Sequence, residues 1–165
     1  MKFSPPPVYT LVASPLGPLR LAALDHALVG VWFDGQEHLP AMADWHRDDQ
    51  HPVLQQTAHE LQEYFAGQRR RFEVPLNLGF GTDFQQRVWR SLLSIAPGTT
   101  STYGAISQAI GNPSAVRAVG GAIGRNPIGI IVPCHRVIGA DGALTGYAGG
   151  LERKVALLQL EGALL

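Results

Sequence analysis

The sequence predicts a chain of the α+β (α/β) class: an N-terminal antiparallel β-sheet with a helix, then a helical half holding a helix-turn-helix. Three observations carry this. Three short apolar runs separated by turn residues fill positions 8–33. Helical periodicity begins at Pro52 and dominates after Thr82. Two short helical stretches are joined by Gly111-Asn112-Pro113. A length of 165 residues suits one ordinary domain or two small packed ones, and the boundaries are placed at 1–78 and 82–165. Apolar residues make up 45% of the chain, enough for a real core.

Val8 to Ala13, Leu19 to Leu24 and Leu28 to Phe33 read as strands, with turns at Ser14-Pro15-Leu16-Gly17-Pro18 and at Asp25-His26, hence a meander. Asp34 to Gln50 is polar and irregular, with room for one short helix. Pro52 to Phe65 carries Val53, Leu54, Leu61, Tyr64 and Phe65 at helical spacing and is stopped by Gly67. Arg69-Arg70-Arg71 reads as a solvated face or turn. Thr82-Asp83-Phe84-Gln85 has the form of a capping box, followed by an apolar stripe of Phe84, Val88, Leu92 and Ile95 and a stop at Pro97-Gly98. Thr102 caps a helix from Tyr103 to Ile110, and a second helix runs from Ser114 to Gly124. On that second helix Val116, Val119 and Ile123 share the face assigned to the core. A last helix, Leu151 to about Glu161, directs Leu151, Val155 and Leu158 inward.

Net charge is zero, unevenly spread. Residues 1–81 hold six basic and nine acidic side chains, a net of −3, whereas residues 82–165 hold seven and four, a net of +3. A polyanion is therefore expected to meet the second half. The asymmetry is too small for tight, salt-resistant, non-specific nucleic-acid binding. One cysteine forbids an internal disulfide, fits a reducing compartment and rules out a multi-cysteine zinc site. No metal or cofactor is expected. Met1 to Pro7 has no apolar run of a signal peptide, and no segment has the length of a membrane span. A cytoplasmic protein that does not engage membranes is expected.

The lone cysteine, Cys134, sits in Ile131-Val132-Pro133-Cys134-His135-Arg136-Val137, and His135 is the only histidine after His59. A thiol beside the one neutral-pH base of its half is a candidate nucleophile. The competing reading is a buried, inert cysteine. The outer face of the second helix of the helix-turn-helix holds Arg117, Ala118, Gly121 and Arg125. Small residues between two arginines let a backbone approach an anionic surface. They offer little for reading base edges, so a minor-groove approach with one inserted side chain fits. Alternatively, Gly120-Gly121 serve close helix packing. Glu161 falls on the apolar side of the last helix, where a carboxylate needs a partner such as His135. Spacing alone leaves two fates open: a Glu161–His135–Cys134 relay that lowers the thiol pKa, or a glutamate in solvent at a frayed helix end.

Thr102-Tyr103-Gly104, Asn112-Pro113, Arg117-Ala118-Val119-Gly120-Gly121-Ala122 and Asn126-Pro127 resemble the DNA-binding stretch of the O6-alkylguanine-DNA alkyltransferases (methylated-DNA–protein cysteine methyltransferases). Pro133-Cys134-His135-Arg136-Val137 is similar to their active-site motif, and Gly146-Tyr147-Ala148-Gly149-Gly150 to their substrate loop. The similarity runs ungapped from about Thr82 to Gly162. The N-terminal half resembles the family in general layout. The resemblance implies a ribonuclease H-like layout for that half and a winged-helix-like second half.

It further implies direct-reversal repair of O6-alkylguanine, and of O4-alkylthymine, in double-stranded DNA after the base is flipped out. Cys134 is implied as the alkyl acceptor, His135 as its base and Glu161 as the carboxylate orienting that base. Arg117 resembles the side chain that fills the vacated space; Ala118, Gly121 and Arg125 lie on the same DNA-facing surface. Asn126 resembles the hinge between that helix and the active-site loop. Tyr103 resembles the phenol that offers a proton to the purine. The carbonyls of Cys134 and Val137 are implied acceptors for the exocyclic amine, and the Ala148 N–H the donor to O6, within the loop that includes Tyr147 and Gly149. The product is a thioether that nothing in the chain reverses, hence a single-turnover, suicidal transferase. A monomer is implied, with clustering on DNA left open.

Two features of some relatives are missing: the cysteines of an N-terminal zinc site, and a cysteine-rich regulatory segment, which argues against a transcriptional role. Ala148 stands where some relatives carry a hydroxyl residue. Competing readings are a non-catalytic alkyl-lesion sensor, which Cys134 disfavours, and a thiol hydrolase, which leaves Arg117 and Tyr103 without a role. A helix-turn-helix regulator lacks base-reading side chains here.

Overall fold

In the computed structural model, which describes residues 1–165, strands β1 (Val8–Val12), β2 (Leu19–Leu24) and β3 (Ala27–Phe33) form the expected meander. Val12 pairs with Leu19 and Val8 with Ala23, while β2 pairs with β3 from Leu19–Phe33 to Leu24–Ala27 across a register shift at Ala22/Ala23. Asp25 takes a left-handed backbone (φ 54°) in the hairpin turn, a conformation that aspartate tolerates. A two-residue strand β4 (His46–Arg47) adds in parallel to β1, so the order is β3-β2-β1-β4.

No helix forms between Asp34 and Gln50. Gly35 (φ 75°) and His38 (φ 60°) both adopt left-handed backbone, which interrupts any helical run there. The segment instead carries Trp45 across the outer face of the sheet, where it packs with Phe3, Ala22, Val29 and Trp32. Gly30 lies under that cluster: a Cβ there would sit 1.9 Å from the Trp32 ring.

The inner face of the sheet buries Leu19, Leu21, Leu28, Val31 and Phe33 against α1 (Pro52–Phe65). Pro52 occupies the first turn of α1, and the His51 ring accepts the Val53 N–H at 3.2 Å. Glu60, buried on α1, accepts the N–H groups of Glu73 and Val74 and so ties down the chain leaving the N-terminal half.

Helix α2 (Asp83–Leu92) starts with both bonds of the capping box, Gln85 N–H to Thr82 Oγ1 and Thr82 N–H to Gln85 Oε1. Its largest buried residue is Trp89, whose Nε1 donates to the Ala122 carbonyl at 2.8 Å. Short strands β5 (Ser101–Thr102) and β6 (Val137–Ile138) pair in parallel. Helix α3 (Tyr103–Ala109) is capped by Thr102, whose hydroxyl accepts the Ala105 N–H, and the turn at Gly111 leads to α4 (Val116–Gly124). The inward face of α4 is Val119, Ala122 and Ile123; Val116, assigned to the core from its spacing, is 41% exposed at the helix start.

Helix α5 (Leu151–Leu160) is rotated from the face its sequence predicts. Leu151 is 48% exposed, and the buried set is Lys154, Leu157 and Leu158. The cause is polar: Lys154 turns inward to bond loop carbonyls described below. One apolar cluster runs through both halves, from Leu28, Val31 and Phe33 to Trp89, Val119, Ile128 and Leu157. The outer edge of β3 is hydrogen-bonded to both flanking segments, Asn77 N–H to Leu28 O and Val31 N–H to Pro127 O. The sheet thereby fixes the start of the segment that carries Cys134.

Candidate active site

The loop from α4 to Cys134 is held by its own polar groups. Buried Asn126 donates to the Val132 carbonyl at 2.8 Å and accepts the Ile128 N–H at 3.0 Å, closing the loop on itself. Within it Ile130 has φ 71°, which for a β-branched residue costs on the order of 1–3 kcal/mol and persists only where packing enforces it. Pro133 (φ −84°, ψ 62°) forms an inverse γ-turn, with the Cys134 N–H on the Val132 carbonyl at 2.8 Å. A single 3-10 turn over Cys134–Arg136 follows, so the three side chains leave a fixed backbone in different directions.

His135 and Arg136 converge on Glu161 at the C-terminal end of α5. His135 Nε2 lies 2.8 Å from Glu161 Oε2, with both side chains buried. Arg136 grips the carboxylate with two bonds, Nε to Oε1 at 2.8 Å and Nη2 to Oε2 at 2.9 Å, and anchors itself on the Ile95 carbonyl. The Tyr64 hydroxyl donates to Oε2 at 2.7 Å. Burial alone would raise the Glu161 pKa, but the bonds from Arg136, His135 and Tyr64 bring it down to about 2. An ionised carboxylate only accepts, so His135 carries its proton on Nε2. The other nitrogen, Nδ1, is buried and meets no protein hydrogen-bond partner. Burial lowers the His135 pKa against the pull of Glu161, which keeps the imidazole a neutral base.

The thiol differs from the sequence expectation. Cys134 is buried, and burial pushes its pKa up; the Asn126 side chain and the Lys154 charge offset this only in part. Cys134 therefore rests protonated and needs a base at the moment of reaction. Lys154, fully buried, donates to the carbonyls of Val137 (2.6 Å), Thr145 (2.9 Å) and Gly146 (3.5 Å), bolting the 145–149 loop to β6.

Cys134 opens onto a cleft of about 370 Å³ walled by Tyr103, Gly120, Ile123 and Gly124 on one side and Thr145, Gly146, Tyr147 and Ala148 on the other. Such a volume falls within the usual range of small-molecule sites. The Tyr103 hydroxyl and Thr145 Oγ1, 2.9 Å apart, bridge the two walls. Glu37 adds an acidic side chain at the rim, and its N–H donates to the Ala148 carbonyl at 3.0 Å. Val137 is buried and is not among the residues lining the cleft. Gly149 is buried outside the cleft lining, where a Cβ would meet Tyr147 at 2.7 Å and Phe33 at 3.0 Å.

Arg117, Ala118, Gly121 and Arg125 are all exposed on one side of α4, next to the cleft wall formed by Gly120 and Gly124. Arg125 approaches His38 at 3.4 Å. Asn126 is not on that surface; it lies inside the loop. Three residues of this site escape a reading of the sequence: Tyr64, which reads as core; Arg136, which reads as part of the motif without a role; and Lys154. A lysine three residues after Leu151 and four before Leu158, on a supposedly apolar stripe, was the available signal.

The profile for the ribonuclease-like domain of 6-O-methylguanine DNA methyltransferase matches residues 8–78, and that for the DNA binding domain matches residues 83–163. The likeness in the N-terminal half is thus more specific than general layout. Among curated relatives, the methylated-DNA–protein-cysteine methyltransferase of Mycobacterium tuberculosis is 50% identical over 153 residues, 93% of this chain and 91% of the relative. That of Methanosarcina acetivorans is 47% identical, covering 94% of this chain and 98% of the relative. Among solved structures, M. tuberculosis OGT in complex with DNA is similar at a TM-score of 0.86 and 49% identity, covering 94% of this chain and 92% of that one. The fold and the cysteine-centred cleft place this chain among proteins with a ribonuclease-like half joined to a DNA-binding helical half. It belongs to the 6-O-methylguanine DNA methyltransferase family.

Proposed function

We propose that this protein repairs O6-alkylguanine, and O4-alkylthymine, in duplex DNA by transferring the alkyl group irreversibly to its own Cys134. The observation that carries the proposal is a buried thiol at the cleft floor, followed directly by an imidazole whose protonated nitrogen is held by an ionised carboxylate. The reactive carbon is shielded inside a duplex, so the base must leave the stack and enter the cleft. The exposed face of α4 meets the minor groove; small Ala118 and Gly121 allow close approach, Arg125 pairs with phosphate, and Arg117 fills the gap.

His135 Nδ1 takes the thiol proton, relayed by a water molecule, and the imidazolium is stabilised by Glu161. The Cys134 thiolate attacks the alkyl carbon in line, forming the S–C bond as the C–O6 bond breaks. The guanine leaves as an anion; the Ala148 N–H donates to O6, and Tyr103, exchanging its Thr145 partner, supplies a proton to the purine. The Cys134 and Val137 carbonyls accept from the exocyclic amine. Lys154 occupies only one of the two lone pairs at Val137. Tyr147 and Gly149 shape the loop. No step calls for a cofactor or a metal. Residues 1–78 act as the scaffold and 82–165 as the DNA-engaging, reacting part of a cytoplasmic monomer.

A duplex whose restriction site is blocked by O6-methylguanine tests this. Cleavage should return in proportion to the protein added and stop at one site per molecule, and Cys134→Ser should restore none. Binding of the lesion without restored cleavage would mark a damage sensor instead.

A further inference from the structure

We propose that Tyr64 is a positioning residue for this alkyl transfer, holding Glu161 ionised and aimed at His135 from the N-terminal half of the chain. The inference rests on the alkyl-transfer reading above. Tyr64 stands near the end of α1, its ring buried between Phe65 and Phe72. A phenylalanine would satisfy that packing. The hydroxyl goes further and donates to Glu161 Oε2 at 2.7 Å, across a sequence separation of 97 residues.

Three donors therefore share one oxygen: Tyr64, His135 Nε2 and Arg136 Nη2. An oxygen so saturated is a poor base, and the proton between it and His135 stays on Nε2. That leaves Nδ1 unprotonated to receive the thiol proton. Arg136 sets the plane of the carboxylate, but it belongs to the same turn as His135 and moves with it. Tyr64 is the donor fixed to a separate element. Arg70 adds a second hold from the same half, with Nη2 3.4 Å from the Glu161 main-chain carbonyl. Besides Tyr64 and Arg70, the charged or titratable groups around the His135–Glu161 pair are Arg136 on the turn, Lys154 on α5, Tyr147 on the 145–149 loop and Cys134 itself, and of these only Arg136 bonds Oε2.

Tyr64→Phe removes one donor and keeps the ring. The measurement is the rate of Cys134 alkylation by free O6-benzylguanine as a function of pH, which needs no DNA. With one donor gone Oε2 becomes more basic and stabilises the imidazolium better, so His135 protonates at higher pH. The acid limb should move up by roughly one pH unit, with rates on that limb falling about tenfold. Replacing Tyr64 with 3-fluorotyrosine, a stronger donor of the same shape, should move the limb down, and it serves if Tyr64→Phe does not fold. A limb that stays in place, whether rates are unchanged or scaled down uniformly, would reduce Tyr64 to packing and overturn the proposal. An unreactive wild-type protein would instead sink the alkyl-transfer reading itself.

Discussion

Lys154 Nζ donates to the Val137 carbonyl at 2.6 Å from a side chain with no solvent exposure. No carboxylate pairs with this ammonium; its partners are the carbonyls of two segments, β6 and the 145–149 loop. Burial accordingly lowers its pKa. A buried charge held by carbonyls alone joins the wall of the cleft to its floor, and its field favours the Cys134 thiolate.

Lys154→Met keeps the apolar stem and removes the donors. Leaving the buried Val137 carbonyl unpaired costs on the order of 1–3 kcal/mol, so the denaturant midpoint should fall. Alkylation by O6-benzylguanine should slow as well, since the thiolate loses a nearby cation. Full reactivity in a destabilised variant would confine Lys154 to a structural role.

Acid should destabilise the fold through the same site. Glu161 titrates at about 2 in place of its ordinary value, and burial lowers His135 too. Both groups bind protons more readily in the unfolded chain, so stability is present above the unfolded pKa values and is lost as pH falls. The loss should begin below about pH 6.5 with His135 and continue from about pH 4.5 toward 2 with Glu161, each pKa unit being worth about 1.4 kcal/mol. Unfolding free energies measured by denaturant across this range should show that slope, flattened in Glu161→Gln.

Arg117→Ala separates duplex opening from chemistry. Unstacking a base takes a few kcal/mol, so repair in duplex DNA should slow roughly ten- to a hundredfold. Reaction with free O6-benzylguanine should stay near the wild-type rate, because Arg117 is not among the residues lining the cleft. Equal losses on both substrates would contradict the inserted-side-chain role.

Gly30→Ala probes the scaffold. With the Trp32 ring in the way, overpacking should cost on the order of 1–3 kcal/mol. Near-ultraviolet circular dichroism should report the displaced tryptophan, and the folded fraction should still react.

Much of this architecture is legible in the amino-acid sequence. The strands from Val8 to Phe33, the capping box at Thr82 and the helices at Pro52 and Tyr103 follow from local signals that the fold does not override. Local signals misled at helix starts and where a polar group governed the packing. Val116 and Leu151 look like core residues by spacing, but each starts its helix at the surface, and Lys154 takes the inward face of α5 because loop carbonyls await it. Of the reacting groups, Cys134 and His135 stand out in the chain because they adjoin. Tyr64 does not, since nothing near position 64 refers to a carboxylate 97 residues away. The raised thiol pKa was equally hidden, being a consequence of burial rather than of neighbours in sequence.

Alkyl transfer to Cys134 is tested most directly by intact-protein and peptide mass spectrometry after mixing with a slight excess of duplex containing one O6-methylguanine. One methyl group per protein is expected, on the peptide holding Cys134, and none on Cys134→Ser. Tight binding of the damaged duplex with no change in protein mass would contradict it and leave the Glu161–His135–Cys134 arrangement without a reaction to serve.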